Sequence, residues 1–133
     1  MQSPHLYSIE NINLILIFKT YLMSTLRNKV QLIGNLGNNP EIIALESGKK
    51  IAKFSIATNE NYKNAKGEKM VDTQWHNIIA WNKTAEIIEK YVTKGSEIAL
   101  EGKLTTRSYE DSKGQKRYIT EITCNEILLL GGK

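Results

Sequence analysis

Cysteine is nearly missing from this chain of 133 residues, with Cys124 standing alone. A single thiol excludes an internal disulfide and any multi-cysteine metal site, and it fits a reducing cytoplasm. Near the end of an alternating segment, Cys124 reads as a small packing residue rather than a nucleophile. Histidine is almost as scarce: His5 lies near the start, and His76 has no metal-ligand cluster around it in the sequence. A catalytic pairing of His76 with Asp72 is conceivable on one strand face, but a lone strand histidine more often packs or meets a neighbouring subunit. The segment Gly34-Asn35-Leu36-Gly37 lacks the Gly-Lys-Ser/Thr that would complete a phosphate loop. The expectation is therefore no enzyme, no catalytic residue, no metal and no cofactor.

Long apolar runs are missing too. Ile12 to Phe18 is apolar apart from Asn13, but it is too short to cross a bilayer. It also lacks the basic start and small-residue cleavage pattern of a signal peptide. No membrane role is expected. Met23-Ser24-Thr25 follows and would make an ordinary start. Residues 1–22 therefore read as an N-terminal extension upstream of a natural start at Met23, and 23–133 as one domain. The alternative is a strand or helix that covers a neighbouring apolar surface. The charge excess is modest, +4 with 41% hydrophobic residues, which admits polyanions as partners without demanding them.

What remains is mostly strand. Asn28 to Leu36 alternates, with Val30, Leu32, Gly34 and Leu36 on one face. A short strand over 41–46 and a hairpin turn at Ser47-Gly48-Lys49 follow, then a strand over 50–59 with Ala52, Phe54, Ile56 and Thr58 together. Residues 60–70 are polar and lysine-rich and read as a long exposed hairpin loop. A strand spans 71–81. Residues 82–94 have helical spacing, with Ala85, Ile88, Tyr91 and Val92 on one side, Thr84 as N-cap and Gly95 just past the end. Strands over 96–109 and 116–130 flank a loop at Asp111-Ser112-Lys113-Gly114. The predicted fold is all-β: a five-stranded OB-fold Greek-key barrel with one helix between the third and fourth major strands, an architecture that binds oligonucleotides.

Trp75 and Trp81 lie six residues apart in one strand, so they share a face with Asn77 and Ile79 and stand roughly 20 Å apart. They form either a stacking platform for unpaired bases or a half-buried core pair, and parity alone leaves both open. Tyr62 sits among Lys63 and Lys66, with little core to join. Tyr109 follows Arg107 on a face shared with Lys103 and Thr105. Rings interleaved with cations suit binding to single strands, because every base offers a π-face and each phosphate a charge.

Several ordered segments carry a resemblance. They are Asn28-Lys29-Val30 with Leu32 to Gly37 and Pro40-Glu41; Ile56-Ala57-Thr58; Thr73-Gln74-Trp75-His76; Lys94-Gly95-Ser96; Glu101 to Arg107; and Gly114 to Tyr118. From about Leu26 to Gly131 the chain resembles the bacterial single-stranded DNA-binding proteins. The resemblance implies sequence-independent binding and protection of single-stranded DNA in replication, repair and recombination, a homotetramer, and a cytoplasmic, nucleoid-associated setting. Carried over by position, the stacking residues are Tyr62, Trp75, Trp81 and Tyr109. The phosphate contacts are Lys29, Lys63, Lys69, Lys83, Lys94 and Arg107. Asn77 stands where the family often has arginine. Family members usually continue into a flexible linker and an acidic tip that recruits repair and replication enzymes. Here the last strand runs straight into Leu130-Gly131-Gly132-Lys133, so the expectation is DNA binding without recruitment through such a tip.

Two rivals stand beside this reading. One is an OB-fold adaptor whose main contacts are with protein; it would show weak DNA affinity and a tight protein partner. The other is a nuclease using His76 and Asp72, which would cleave single strands with a metal. RNA is a further ligand that stacking scarcely distinguishes from DNA.

Overall fold

The computed structural model describes residues 11–19 and 26–131. Helix α1 (residues 11–19) comes first, and its apolar side chains Ile12, Leu14, Ile15, Leu16, Ile17 and Phe18 are all exposed. Among the described residues, no helix is long and apolar enough to cross a membrane.

Six strands and a second helix follow: β1 (Val30–Leu36), β2 (Glu41–Ala44), β3 (Lys50–Lys63), β4 (Lys69–Trp81), α2 (Asn82–Tyr91), β5 (Glu97–Glu110) and β6 (Lys116–Leu130). The sheet order is β1-β5-β6-β4-β3-β2, and β1 also pairs with β3 at Asn35↔Ala57 and Leu36↔Ile56. That last pairing closes five strands into the expected barrel and leaves β2 as an added edge. All the pairings are antiparallel except β4 with β6.

Closure depends on two glycines. A Cβ at Gly34 would collide with the Ala57 carbonyl oxygen where β1 meets β3. One at Gly102 would collide with the Thr123 carbonyl oxygen, beside a register shift at Glu101/Gly102. Backbones this close leave no room for any side chain.

Inside lie Leu36, Ala52, Phe54, Ile56, Ile78, Ala80, Ile98, Leu100, Ile122 and Cys124, with Ala85 and Ile88 of α2 and its C-cap Val92 packed against them. Burial pushes the Cys124 thiol up to about 11, so it stays protonated at neutral pH, as a packing residue should. Leu104 is exposed beyond the end of the core.

Three expectations for the middle of the chain need correction. Residues 60–70 are not a long loop, because β3 and β4 stay paired out to Lys63↔Lys69 and only 64–68 turn. Their polarity reflects a two-stranded arm wet on both faces. Thr84 is not the N-cap: β4 runs directly into α2, Trp81 is the cap residue, and it makes no side-chain cap bond. Asn82 takes the corner at φ 51°, and its Oδ1 accepts the Lys50 N–H at 3.3 Å. Tyr91 is exposed rather than inward, because Ala85, Ile88 and Val92 set the buried stripe and leave Tyr91 beside it.

All three hairpins use one turn. In Leu45–Lys49, Asn64–Glu68 and Asp111–Gln115, the first N–H donates to the fifth carbonyl, and the fourth N–H to the first carbonyl. The fourth residue is Gly48, Gly67 or Gly114, each with positive φ, as in a three-residue hairpin loop closed by a left-handed glycine.

Gly34→Ala should destabilise the protein by about 1–3 kcal/mol, the usual cost of overpacking, read as a lower urea midpoint. An unchanged midpoint would show that closure does not require the bare backbone there.

Candidate nucleic-acid interface

The core decides which face of β4 looks outward. Ile78 and Ala80 are inside, so Trp75, Asn77 and Trp81 point away from the barrel. Trp75 is 61% exposed and Trp81 40%, which rejects the core-pair alternative. Ile79 shares their parity but is buried, as is Ile51, the cross-strand partner of Trp81. Trp75 leans on bare backbone: a Cβ at Gly37 would come within 2.5 Å of its Cζ3 and 2.7 Å of its Cη2. Trp81 stands at the corner where β4 becomes α2.

The other two rings sit on the hairpin arms. Tyr62 is 51% exposed near the tip of the β3–β4 arm, opposite Met70. By register it lies on the pleat that leads to Phe54 and Ile78, not on that of Trp75. Tyr109 is 44% exposed on the β5–β6 arm, opposite Arg117. The four rings therefore spread over the outer face of β4 and the two arms, not over one pleat.

The six predicted cations divide. Lys63 and Lys69 face each other on the last rung of the β3–β4 arm, where like charges repel and an anion between them would relieve the strain. Lys83 is exposed in the first turn of α2. Lys94 lies in the turn after α2, its N–H donating to Asn39 Oδ1 at 2.8 Å. Lys29 is held by Glu101 at 3.0 Å, a carboxylate that also accepts from Gln31 and is kept below its usual range first by Gln31, then by Lys29. Arg107 Nε donates to Glu121 Oε1 at 2.7 Å, and that buried carboxylate raises the guanidinium further above its ordinary value. Lys29 and Arg107 are thus already paired with acids.

Sequence reasoning missed three contributors. Lys53 lines the same cleft as Trp75 and Asn77. Gly37 is the rest for the indole. Tyr118 is exposed, with the Lys116 Nζ 5.6 Å from its ring centroid. The two-residue spacing of Lys116 and Tyr118 on a strand was the available signal. The supposed dyad does not form: His76 Nε2 lies 2.9 Å from Thr58 Oγ1, and Asp72 accepts from Gln74 instead. Among the described residues no group of His, Cys, Asp and Glu could hold a metal ion.

The model of the single-strand binding protein family matches residues 27–130. The chain belongs to that family. It is 46% identical over 107 residues to single-stranded DNA-binding protein 1 of Chlorobaculum tepidum, covering 80% of this chain and 66% of that one. It is also 46% identical over 108 residues to the single-stranded DNA-binding protein of Bacteroides thetaiotaomicron, covering 80% and 67%. The chain thus spans about two thirds of the length of these relatives. Among solved structures, the Plasmodium falciparum SSB complex with ssDNA superposes with a TM-score of 0.71 at 34% identity, covering 78% of this chain and 95% of that one. A deletion mutant of the Thermus aquaticus single-stranded DNA binding protein gives 0.69 at 25% identity, covering 80% and 51%. Both likenesses agree with the OB-fold barrel.

The arm that carries Tyr109 has a pH-sensitive turn. Asp111 Oδ1 accepts the N–H groups of Lys113 and Gln115, both at 2.9 Å, and Oδ2 accepts Arg117 Nε at 3.0 Å. These bonds, that from Gln115 foremost and that from Arg117 next, hold the carboxyl below its ordinary 3.8. With the folded value depressed, the stabilisation is complete above that ordinary range and fades as pH falls through the lowered value. In the other arm, neutral Asn64 Oδ1 accepts from Lys66 and Glu68 in the same way. On acid titration by NMR, the amides of Lys113 and Gln115 should move together with a midpoint below 3.8. A midpoint at or above that value would remove the role of Asp111.

Proposed function

We propose that this protein binds and protects single-stranded DNA without sequence specificity and catalyses nothing. The carrying observation is the outward pair Trp75 and Trp81 on the barrel wall, two large rings that the core does not use. Tyr62 and Tyr109 extend the stacking surface along the arms. Lys63, Lys69, Lys83 and Lys94 answer phosphates directly, with Lys29 and Arg107 contributing through their outer edges. Its relatives, named as single-stranded DNA-binding proteins, and the superposed complex with ssDNA point the same way. The work belongs to replication, repair and recombination in the cytoplasm, with residues 23–133 as the functional unit.

Intrinsic tryptophan fluorescence tests the reading. Oligo-dT should quench it to saturation, and affinity should fall as salt rises. Trp75→Ala and Trp81→Ala should each weaken binding by about 1–3 kcal/mol, the worth of one stacked base. Full affinity in both variants would end the stacking assignment, and no complex by fluorescence or mobility shift would end the DNA-binding one.

The assembly we propose is a homotetramer. Ile33 of β1 and Leu128 of β6 are exposed on the outer wall of β1-β5-β6, either side of Ala99. An apolar patch of that kind on a soluble barrel suits burial against copies of itself. Light scattering should give four times the chain mass, and Ile33→Asp should lower it. A monomer at micromolar concentration would overturn the assembly.

A further inference from the structure

We infer that Lys53 is a phosphate-binding residue of the tryptophan face, placed between the two rings to hold the backbone of the strand whose bases stack there. The inference rests on the proposed DNA binding.

The register puts Lys53 opposite Ile79, which lies between Trp75 and Trp81 on the outward pleat of β4. Its diagonal neighbours across the ladder are therefore Asn77 and Trp81, close enough for a long side chain to reach. Lys53 also lines a cleft of about 500 Å³ with Trp75, Asn77, Ser55 and Glu41.

Two ordinary explanations for a strand lysine fail here. Lysines often blunt the free edge of a sheet, but β3 is not an edge at this point, since Lys53 pairs with Glu41 of β2 on one side and Ile79 of β4 on the other. Lysines also neutralise carboxylates. Glu41 is the facing acid, yet among the described residues the ion pairs are Lys29–Glu101, Lys50–Glu89, Arg107–Glu121 and Arg117–Asp111, and none includes Lys53. Its backbone is held by the ladder on both sides and its side chain is half-buried, while its charge has no partner. Two rings that stack separate bases of one strand bring the intervening phosphates past the gap between them. An unpaired ammonium in that gap is free to meet the backbone.

The test is the salt dependence of binding oligo-dT of about ten nucleotides, within the reach of one barrel. Each phosphate neutralised contributes about 0.7 to the slope of log K against log salt on single strands. Lys53→Gln should lower the slope by about 0.7 and weaken binding about eightfold at 0.05 M salt, if the two proteins converge near 1 M. Tryptophan quenching at saturation should remain. Lys53→Arg should keep the slope, and Lys90→Gln, on the last turn of α2, should leave it unchanged. Asn77→Lys in the Lys53→Gln background should restore it, because it returns an ammonium to the neighbouring position on that face. A Lys53→Gln slope equal to that of the parent would overturn the inference, as would equal losses in the Gln and Arg variants, which would mark a packing effect. Failure of the parent protein to bind at all would instead sink the proposed function.

Discussion

The close approach of backbones at Gly34 and Gly102 is the constraint from which the rest follows. Five strands can close only if β1 meets β3, and β5 bends past β6, without side chains between them. Closure gives the sheet an inside. Once Ile78 and Ala80 are inside, Trp75 and Trp81 must be outside, because a strand has only two faces. The outward tryptophan face is thus a by-product of how the barrel shuts, and its geometry is as firm as the core beneath it.

Rigidity is graded across the molecule. The wall that carries the tryptophans is backed by Phe54, Ile56 and Ile78. The arms that carry Tyr62 and Tyr109 have no such backing and hold together by ladder bonds and turn caps. The cations are graded too. Lys29 and Arg107 are held by acids, whereas Lys63 and Lys69 repel each other across a rung. A surface built this way offers a preorganised centre and adaptable flanks, which suits a ligand without fixed shape.

Much of this was legible in the sequence. Alternation and turn signals placed all six strands apart from the outer ends of β3 and β4, and the apolar face of β1 and β3 was correctly identified from Leu36, Ala52, Phe54 and Ile56. The helix and its place in the order also followed from spacing. What failed had physical causes. The arm over 60–70 looked like a loop because two-stranded ribbons wet on both sides have no apolar face, the signal on which strand detection relies. Thr84 looked like a cap because sequence cannot show that Asn82 takes the corner with its backbone. The face of the tryptophans was undecidable until closure chose it. Lys53 was invisible because its meaning lies in pairing with β2 and β4, not in its neighbours along the chain.

The shared turn has a consequence for how such a molecule can change. Each hairpin ends in the same five-residue unit, and the unit is indifferent to how many rungs precede it. An arm can therefore grow or shrink without disturbing the barrel, but only in steps of two residues per strand, about 7 Å at a time. A step of one would carry the tip onto the opposite pleat and exchange the outward-facing set for the inward one. Reach is in this sense quantised, and arms that differ by a single rung present opposite faces at their tips rather than longer versions of the same surface.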